Sequence, residues 1–341
     1  MKQLLIPFLI LSLSSCKSDD DGDEEVAIGD ARVVILNEGN FQFGNASVSV
    51  YNEDSKTIEN KVFQANNSGR PVGDVVQSAL QIDDRLFIVV NNSSKIEVLD
   101  AKSFKSIGSI QNLNSPRYIC LINNEKAYVS DFYEDKVYVI NPQTLSIINT
   151  IETKGWVEEM VLVNNKVFAC HVDSNQVWVI DTSTDQVIEK INTHIQPQYI
   201  EADVNGNVWV SCTGGFAGDP SAFYLIDGKA DSVLKVLEEV NSSLSIEEFD
   251  LDRSGERIFY ISSGGLYETH IDSSSLPTIA KIPANNRTFY GVSVDLTTDE
   301  IYICDAIDYQ QKGVIYRYDQ SFNQLDAFKV GIIPGDVYFL K

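Results

Sequence analysis

Groups that can shuttle protons, hold metals or attack carbon are sparse and scattered in this sequence. Only three histidines occur, His171, His194 and His270, too few for most metal sites. Asp74, Glu158 and Glu248 are the acidic candidates for an enzymatic role, and none has an evident partner histidine. No Ser-His-Asp arrangement, GxSxG elbow or phosphate-binding loop stands out. Cys120, Cys170, Cys212 and Cys304 lie inside apolar runs without CxxC spacing, which predicts buried free thiols. More unusual are large rings set among loop-forming residues: Phe41 and Phe43 sit two apart in "NEGNFQFGN", where asparagine and glycine argue for a turn.

What could position such rings is legible in the rest of the chain. From residue 82 nearly the same message recurs with a period of about forty residues: "IDDRLFIVVNNSSKIEVLDAKSFKSIGSI", "INNEKAYVSDFYEDKVYVINPQTLSIINTI", "VNNKVFACHVDSNQVWVIDTSTDQVIEKI". Each unit alternates strand-like runs with polar turns, four strands per unit. Three looser copies follow around "GNVWVSC", "ERIFYIS" and "DEIYICD". An aromatic recurs in the second strand at Phe87, Tyr128, Phe168, Trp209, Phe259 and Tyr302. A turn-stabilising Asp or Asn ends the third strand at Asp100, Asn141, Asp181, Asp227, Asp272 and Asp319. Runs such as "VYVI" and "VWVI" are apolar on both faces, as expected where each blade is covered by two neighbours. "RVVILNEGNFQFGNASVSVYNEDSKTIENKVF" supplies three strands of one further unit, and the terminal "PGDVYFL" supplies its missing innermost strand. The expected fold is all-β: a seven-bladed β-propeller of four-stranded antiparallel blades, closed by the C-terminal strand joining the first blade.

In such a ring the loops between second and third strands, with the blade-to-blade connections, surround one mouth of the central channel. That placement brings together Phe41, Phe43, Tyr118, Phe132, Tyr133 and Trp156, with Tyr199, Phe216, Phe289, Tyr290 and Tyr309. Polar candidates for ligand contact on the same face are Asn37, Arg70, Asp74, Asn91, Arg117, Asp131 and His171, with Arg287 nearby. His194 falls there too, whereas His270 belongs to a third strand. Rings contribute large contact area at low entropic cost, so an aromatic crown on a rigid scaffold reads as a binding surface, with part of it plugging crevices. No cofactor, metal or catalytic residue is expected.

Residues 1–15, "MKQLLIPFLILSLSS", read as a secretory leader, its apolar run too short to span a bilayer. "LSSC" resembles the lipobox of bacterial lipoproteins, which implies Cys16 as the acylated residue; a plain cleaved leader is the alternative. Residues 16–31 contain "KSDDDGDEE", a solvated acidic tether, which also resembles the tags of surface-exposed lipoproteins of Bacteroidota. An EF-hand reading fails because Lys17 stands where an acid is needed and the distal glutamate is missing. Residues 32–341 form the propeller. The formal charge of −23 argues against nucleic-acid or anionic-lipid partners, leaving contact with a membrane through the lipid anchor alone.

"LNEGNFQFGNASVSVY", "GRPVGDVVQS" and "VVNNSSKIEVLD" resemble seven-bladed YVTN-type propellers and, within them, the Bacteroidota surface lipoproteins that capture cobalamin beside a TonB-dependent transporter. The resemblance implies a nutrient-binding protein of the outer membrane. A corrinoid would set its amide arms against Asn37, Asn91 and Arg117, and its macrocycle edge against Phe41, Phe43 and Tyr133. Other large nutrients, an adhesion module and a lactonase-like or quinoprotein-like enzyme are the competing functions.

Overall fold

The computed structural model describes residues 31–215, 219–239 and 245–341. It forms seven four-stranded antiparallel sheets arranged as the blades of a propeller. The ring closes as the sequence predicts. Pro334–Phe339 is the innermost strand of blade 1 and pairs with Val33–Asn37, in register from Val33 opposite Phe339 to Leu36 opposite Asp336. The amide of Leu340 adds a bond to the Arg32 carbonyl at 2.8 Å. Blades 2 to 7 each follow one continuous stretch, with innermost strands at Val76–Ile82, Pro116–Asn123, Val157–Val163, Pro197–Ala202, Phe249–Leu251 and Phe289–Asp295.

Strands apolar on both faces build the core between blades rather than within them. Phe87, Val89 and Ile96 of blade 2 pack on Ala127, Val129 and Tyr138 of blade 3, and Tyr128 and Val139 of blade 3 on Val157 and Val167 of blade 4. The recurring aromatics Phe87, Tyr128, Phe168, Trp209, Phe259 and Tyr302 are all buried. Burying such a ring contributes roughly 1.5–3 kcal/mol. Their polar tips reach neighbouring turns: Tyr302 donates to Glu53 at 3.0 Å and Tyr128 to Asp185. Cys120, Cys170, Cys212 and Cys304 are buried free thiols.

The acidic column at the third-strand ends is structural. Asp100, Asn141, Asp181, Asp227 and Asp319 each accept from backbone amides two to four residues on, as in the 2.8 Å bond from Lys229 to Asp227. Asp272 departs from the column. Blade 6 ends its third strand at His270, whose Nδ1 accepts the Asp272 amide at 3.1 Å, so the ring nitrogen takes the place of the carboxylate.

Candidate functional site

Three levels descend into the crown end of the axis. The outermost is a set of displayed rings: Phe41 is 56% exposed, Phe43 76%, Tyr133 65% and Tyr309 45%. Their mounts are rigid. Gly39 and Gln42 turn the loop through positive φ, Asn45 accepts the Asn40 amide at 2.7 Å, and Asp74 accepts the Gln42 amide at 2.7 Å. Asn40 also donates to the Tyr309 carbonyl at 2.5 Å, which ties the first blade's loop to that of blade 7. Hydrogen bonds therefore hold the backbone while the phenyl rings face outward without polar partners of their own.

The second level is the mouth. Arg117 of blade 3 reaches the neighbouring blades, donating Nε to both carboxylate oxygens of Glu158 at 3.0 and 3.1 Å and Nη1 to Gln77. Trp156 donates its indole N–H to Glu158 at 2.5 Å, and Phe132 lies edge-on to both Trp156 and Tyr133 with centroids 4.5 Å away. An unbroken chain of contacts thus links the displayed Tyr133 to the buried ion pair. Burial disfavours the Arg117 charge, but Glu158 outweighs it and holds the guanidinium above its ordinary pKa. Opposite, Tyr290 donates to Glu38 at 3.2 Å and meets Tyr309 edge-on at 5.8 Å. Burial pushes the Glu38 carboxyl up to about 7, against the pull of Arg117 and the Tyr290 hydroxyl.

Below lies the shaft, a cavity of about 780 Å³ whose walls include Tyr118, Tyr199, Glu159, Glu201, Glu248, Asp250 and Asp336. These side chains come from innermost strands, Glu248 from the residue directly before Phe249–Leu251. Several of them stitch blade to blade: Glu159 accepts the Ile200 amide at 2.8 Å, Asp250 that of Val294 at 2.6 Å, and Tyr338 that of Gln81 at 2.8 Å. Burial pushes Glu159 up to about 8 and Asp250 to about 7, and raises Glu248, Glu201 and Asp336. Glu201 and Asp250 are hydrogen-bonded to each other, an arrangement that needs a proton between them.

Of the residues expected at the ligand face, the structure brings Phe41, Phe43, Arg117, Tyr118, Phe132, Tyr133, Trp156, Tyr199, Tyr290 and Tyr309 to the crown, mouth or shaft. Arg70 stays at the rim, paired with Glu97 at 2.8 Å over the Phe63 ring. Asp74 is buried beneath the Phe41 loop and acts on its backbone. Cys16 and Phe216 lie outside the described residues.

Four of the expected residues sit in the interior of the fold. Asn37, Asn91, Asp131 and His171 are buried at or just past the ends of second strands, and their polar atoms are engaged within the fold. Asn37 donates to Ser47 O at 3.1 Å and accepts from the Gly331 amide; Asn91 donates to Ser115 and Pro116; Asp131 accepts four loop amides; His171 bonds Thr153 O at 2.9 Å and stacks on Trp178. They form a second repeated structural column. Of the other two histidines, His194 bonds Tyr224 at 2.6 Å and His270 caps its turn. The residues missed were Glu38 at the mouth and the shaft acids Glu159, Glu201, Asp250 and Asp336. The signal of the shaft acids was charge inside innermost strands that should otherwise have been apolar.

Comparison with known proteins supports the same architecture. A family model described as "Domain of unknown function (DUF5074)" matches residues 32–330. A search of curated proteins finds no match. Among solved structures the chain is similar to a quinonprotein alcohol dehydrogenase-like protein from Bacteroides thetaiotaomicron, with 14% identity and a TM-score of 0.70 over 92% of this chain and 78% of that one. It is also similar to the periplasmic gluconolactonase of Pseudomonas aeruginosa, with 13% identity and a TM-score of 0.69 over 91% and 99%. The dihydro-heme d1 dehydrogenase NirN matches at 9% identity and a TM-score of 0.62 over 91% and 75%. At these identities the likeness is one of fold.

Proposed function

The chain belongs to the DUF5074 family, and from that premise, which supplies a scaffold without an activity, we propose that the crown is a binding surface for a broad, partly polar ligand. The observation that carries this is the mounting of Phe41, Phe43, Tyr133 and Tyr309: exposed rings on hydrogen-bonded turns around a mouth holding Arg117, Glu38 and Tyr290. A folded chain gains nothing for its own stability from such display. A large nutrient with an apolar body and amide or acidic arms fits the mixture, and a corrinoid is the specific ligand proposed. Arg117, Gln77 and Tyr118 are the polar groups in reach, in place of the interior Asn37 and Asn91. The protein binds rather than converts this ligand and passes it to an outer-membrane TonB-dependent transporter. The leader, Cys16 and the acidic run after it support a lipid-anchored position on the cell surface.

Calorimetric titration of the leaderless protein with cobalamin tests the ligand. Saturable heat that weakens by about 2 kcal/mol in Phe43→Ala or Tyr133→Ala supports the proposal; absence of heat at micromolar concentration removes the corrinoid. Cys16→Ala should release the protein from membranes, and protease treatment of intact cells should remove the native form. A native form resistant on intact cells but cut after lysis would refute surface exposure.

A second reading, an enzyme, draws on the shaft. Glu38 and Asp250 near 7 and Glu159 near 8 lie in the range useful for general acid–base catalysis. Hydrolysis of a lactone panel, abolished by Glu159→Gln, would favour it.

A further inference from the structure

Blade 6 has the shortest crown hairpin of the ring: Ser263 and Gly264 alone join Arg257–Ser262 to Gly265–His270. The longer loop of blade 7 stands beside it and carries Tyr309 at its tip. Between them is a notch of about 210 Å³ lined by Glu247, Ser262, Arg287, Thr288, Phe289 and Tyr309.

Ser262 occupies the second-strand end that Asp131 fills in blade 3 and Asp305 in blade 7. Those aspartates accept amides of their own loops and connections, as Asp305 does from Thr288 and Ile307, both at 2.9 Å. The two-residue hairpin of blade 6 cannot supply such amides. The Ser262 side chain lies in the notch wall, and its buried hydroxyl has no hydrogen-bond partner among the described residues. A buried polar atom in that state costs free energy unless something enters to meet it.

Two opposite charges share the notch without pairing. Among the described residues Glu247 has no ion-pair partner, and burial raises its pKa. Arg287 donates Nε to Ala284 O at 2.9 Å, Nη2 to Pro283 O at 2.7 Å and Nη1 to the Tyr318 hydroxyl at 3.2 Å, with its plane over Phe289. The Tyr316 hydroxyl also bonds this guanidinium, so only the remainder of its five N–H groups is open.

We propose that this notch binds a small zwitterion of the α-amino-acid class. The ammonium meets Glu247 and the Ser262 hydroxyl, the carboxylate takes the open N–H groups of Arg287, and the Tyr309 ring flanks the side chain. A zwitterion compensates both unpaired charges at once; an amine or an acid alone leaves one of them facing the other ligand end unsatisfied. The notch shares Tyr309 with the crown but uses none of Phe43, Tyr133 and Arg117, so its failure leaves the cobalamin titration of those residues readable on its own.

The test is a nuclear magnetic resonance titration of the leaderless protein with L-alanine, with ethylammonium and acetate in parallel. The expected result is saturable shifts of the Gly264, Gly265 and Thr288 amides with L-alanine, at least about tenfold weaker with either single-charge probe. Glu247→Gln and Ser262→Ala should each weaken L-alanine binding while their spectra otherwise match the parent. No saturable shift, equal response to acetate or ethylammonium, or unchanged binding in both variants would overturn the proposal.

Discussion

Arg117 holds Glu158 across the boundary between blades 3 and 4, with Nη2 2.5 Å from Oε1 and Nε 3.0 and 3.1 Å from the two carboxylate oxygens. The carboxylate is almost fully buried, and this guanidinium is its ion-pair partner, with the Trp156 indole N–H as a further donor. Arg117→Met is therefore expected to destabilise the fold by about 3–5 kcal/mol in urea unfolding. Adding Glu158→Gln to that variant should recover much of the loss, because the stranded charge is gone. Additive losses would show that the pair is not the source of the effect.

Crown rings and interior polar residues should separate cleanly by stability. Phe43→Ser touches no packed neighbour and should change unfolding free energy by less than about 0.5 kcal/mol. Asp131→Ala strips four loop amides of their acceptor and should cost about 1–3 kcal/mol. A reversed order in thermal or urea melts would contradict the division between display and scaffold.

That division was only partly legible in the sequence. Forty-residue spacing, the second-strand aromatics and the split first unit were sufficient for seven blades and for the closure, since periodicity and strand patterning are local signals. The rings of the crown followed, because Phe41 and Phe43 are conspicuous among loop formers. The interior placement of Asn37, Asn91, Asp131 and His171 was harder to read than that of Asp100 and Asp181: recurrence at one blade position marks a structural role, and in this column the residue types vary. The shaft acids escaped because their convergence is a property of the ring. Asp250 and Asp336 are each one acid in an otherwise apolar strand, and Glu159 stands beside Glu158, until seven innermost strands face one axis.

Closure makes a third prediction. Deleting residues 335–341 removes the strand paired with Val33–Asn37 and leaves that strand's backbone groups open along the shaft side of blade 1. The truncated chain is expected to aggregate, read by size-exclusion chromatography. A monomeric product with the parent's melting temperature would count against the seam as a stabilising element.

The shaft sets an unusual pH dependence. Burial holds Glu38 and Asp250 near 7 and Glu159 near 8, well above their unfolded values. The folded state therefore binds more protons, so this contribution is fully present below about pH 4 and is lost as pH rises through 7 to 8. Acids held low by turn amides or ion pairs, such as Asp100, Asp319 and Glu97, act in the opposite direction below their unfolded pKa values, as pH falls beneath about 4. Thermal stability should peak near pH 5 and decline toward pH 9, and Glu159→Gln should flatten the decline. A maximum above pH 7 in the parent protein would refute this assignment.

The seam in blade 1 also imposes an order on the chain's own history. Val33 and its partner Phe339 stand at nearly opposite ends of the sequence, so six blades can assemble on local contacts while the oldest strands wait for the youngest. Contacts of such long range form slowly. During synthesis and any passage across a membrane, the inner edge of Val33–Asn37 must stay unpaired until the last residues arrive. The finished ring is consequently a record of complete delivery: a prematurely halted chain has no way to lock.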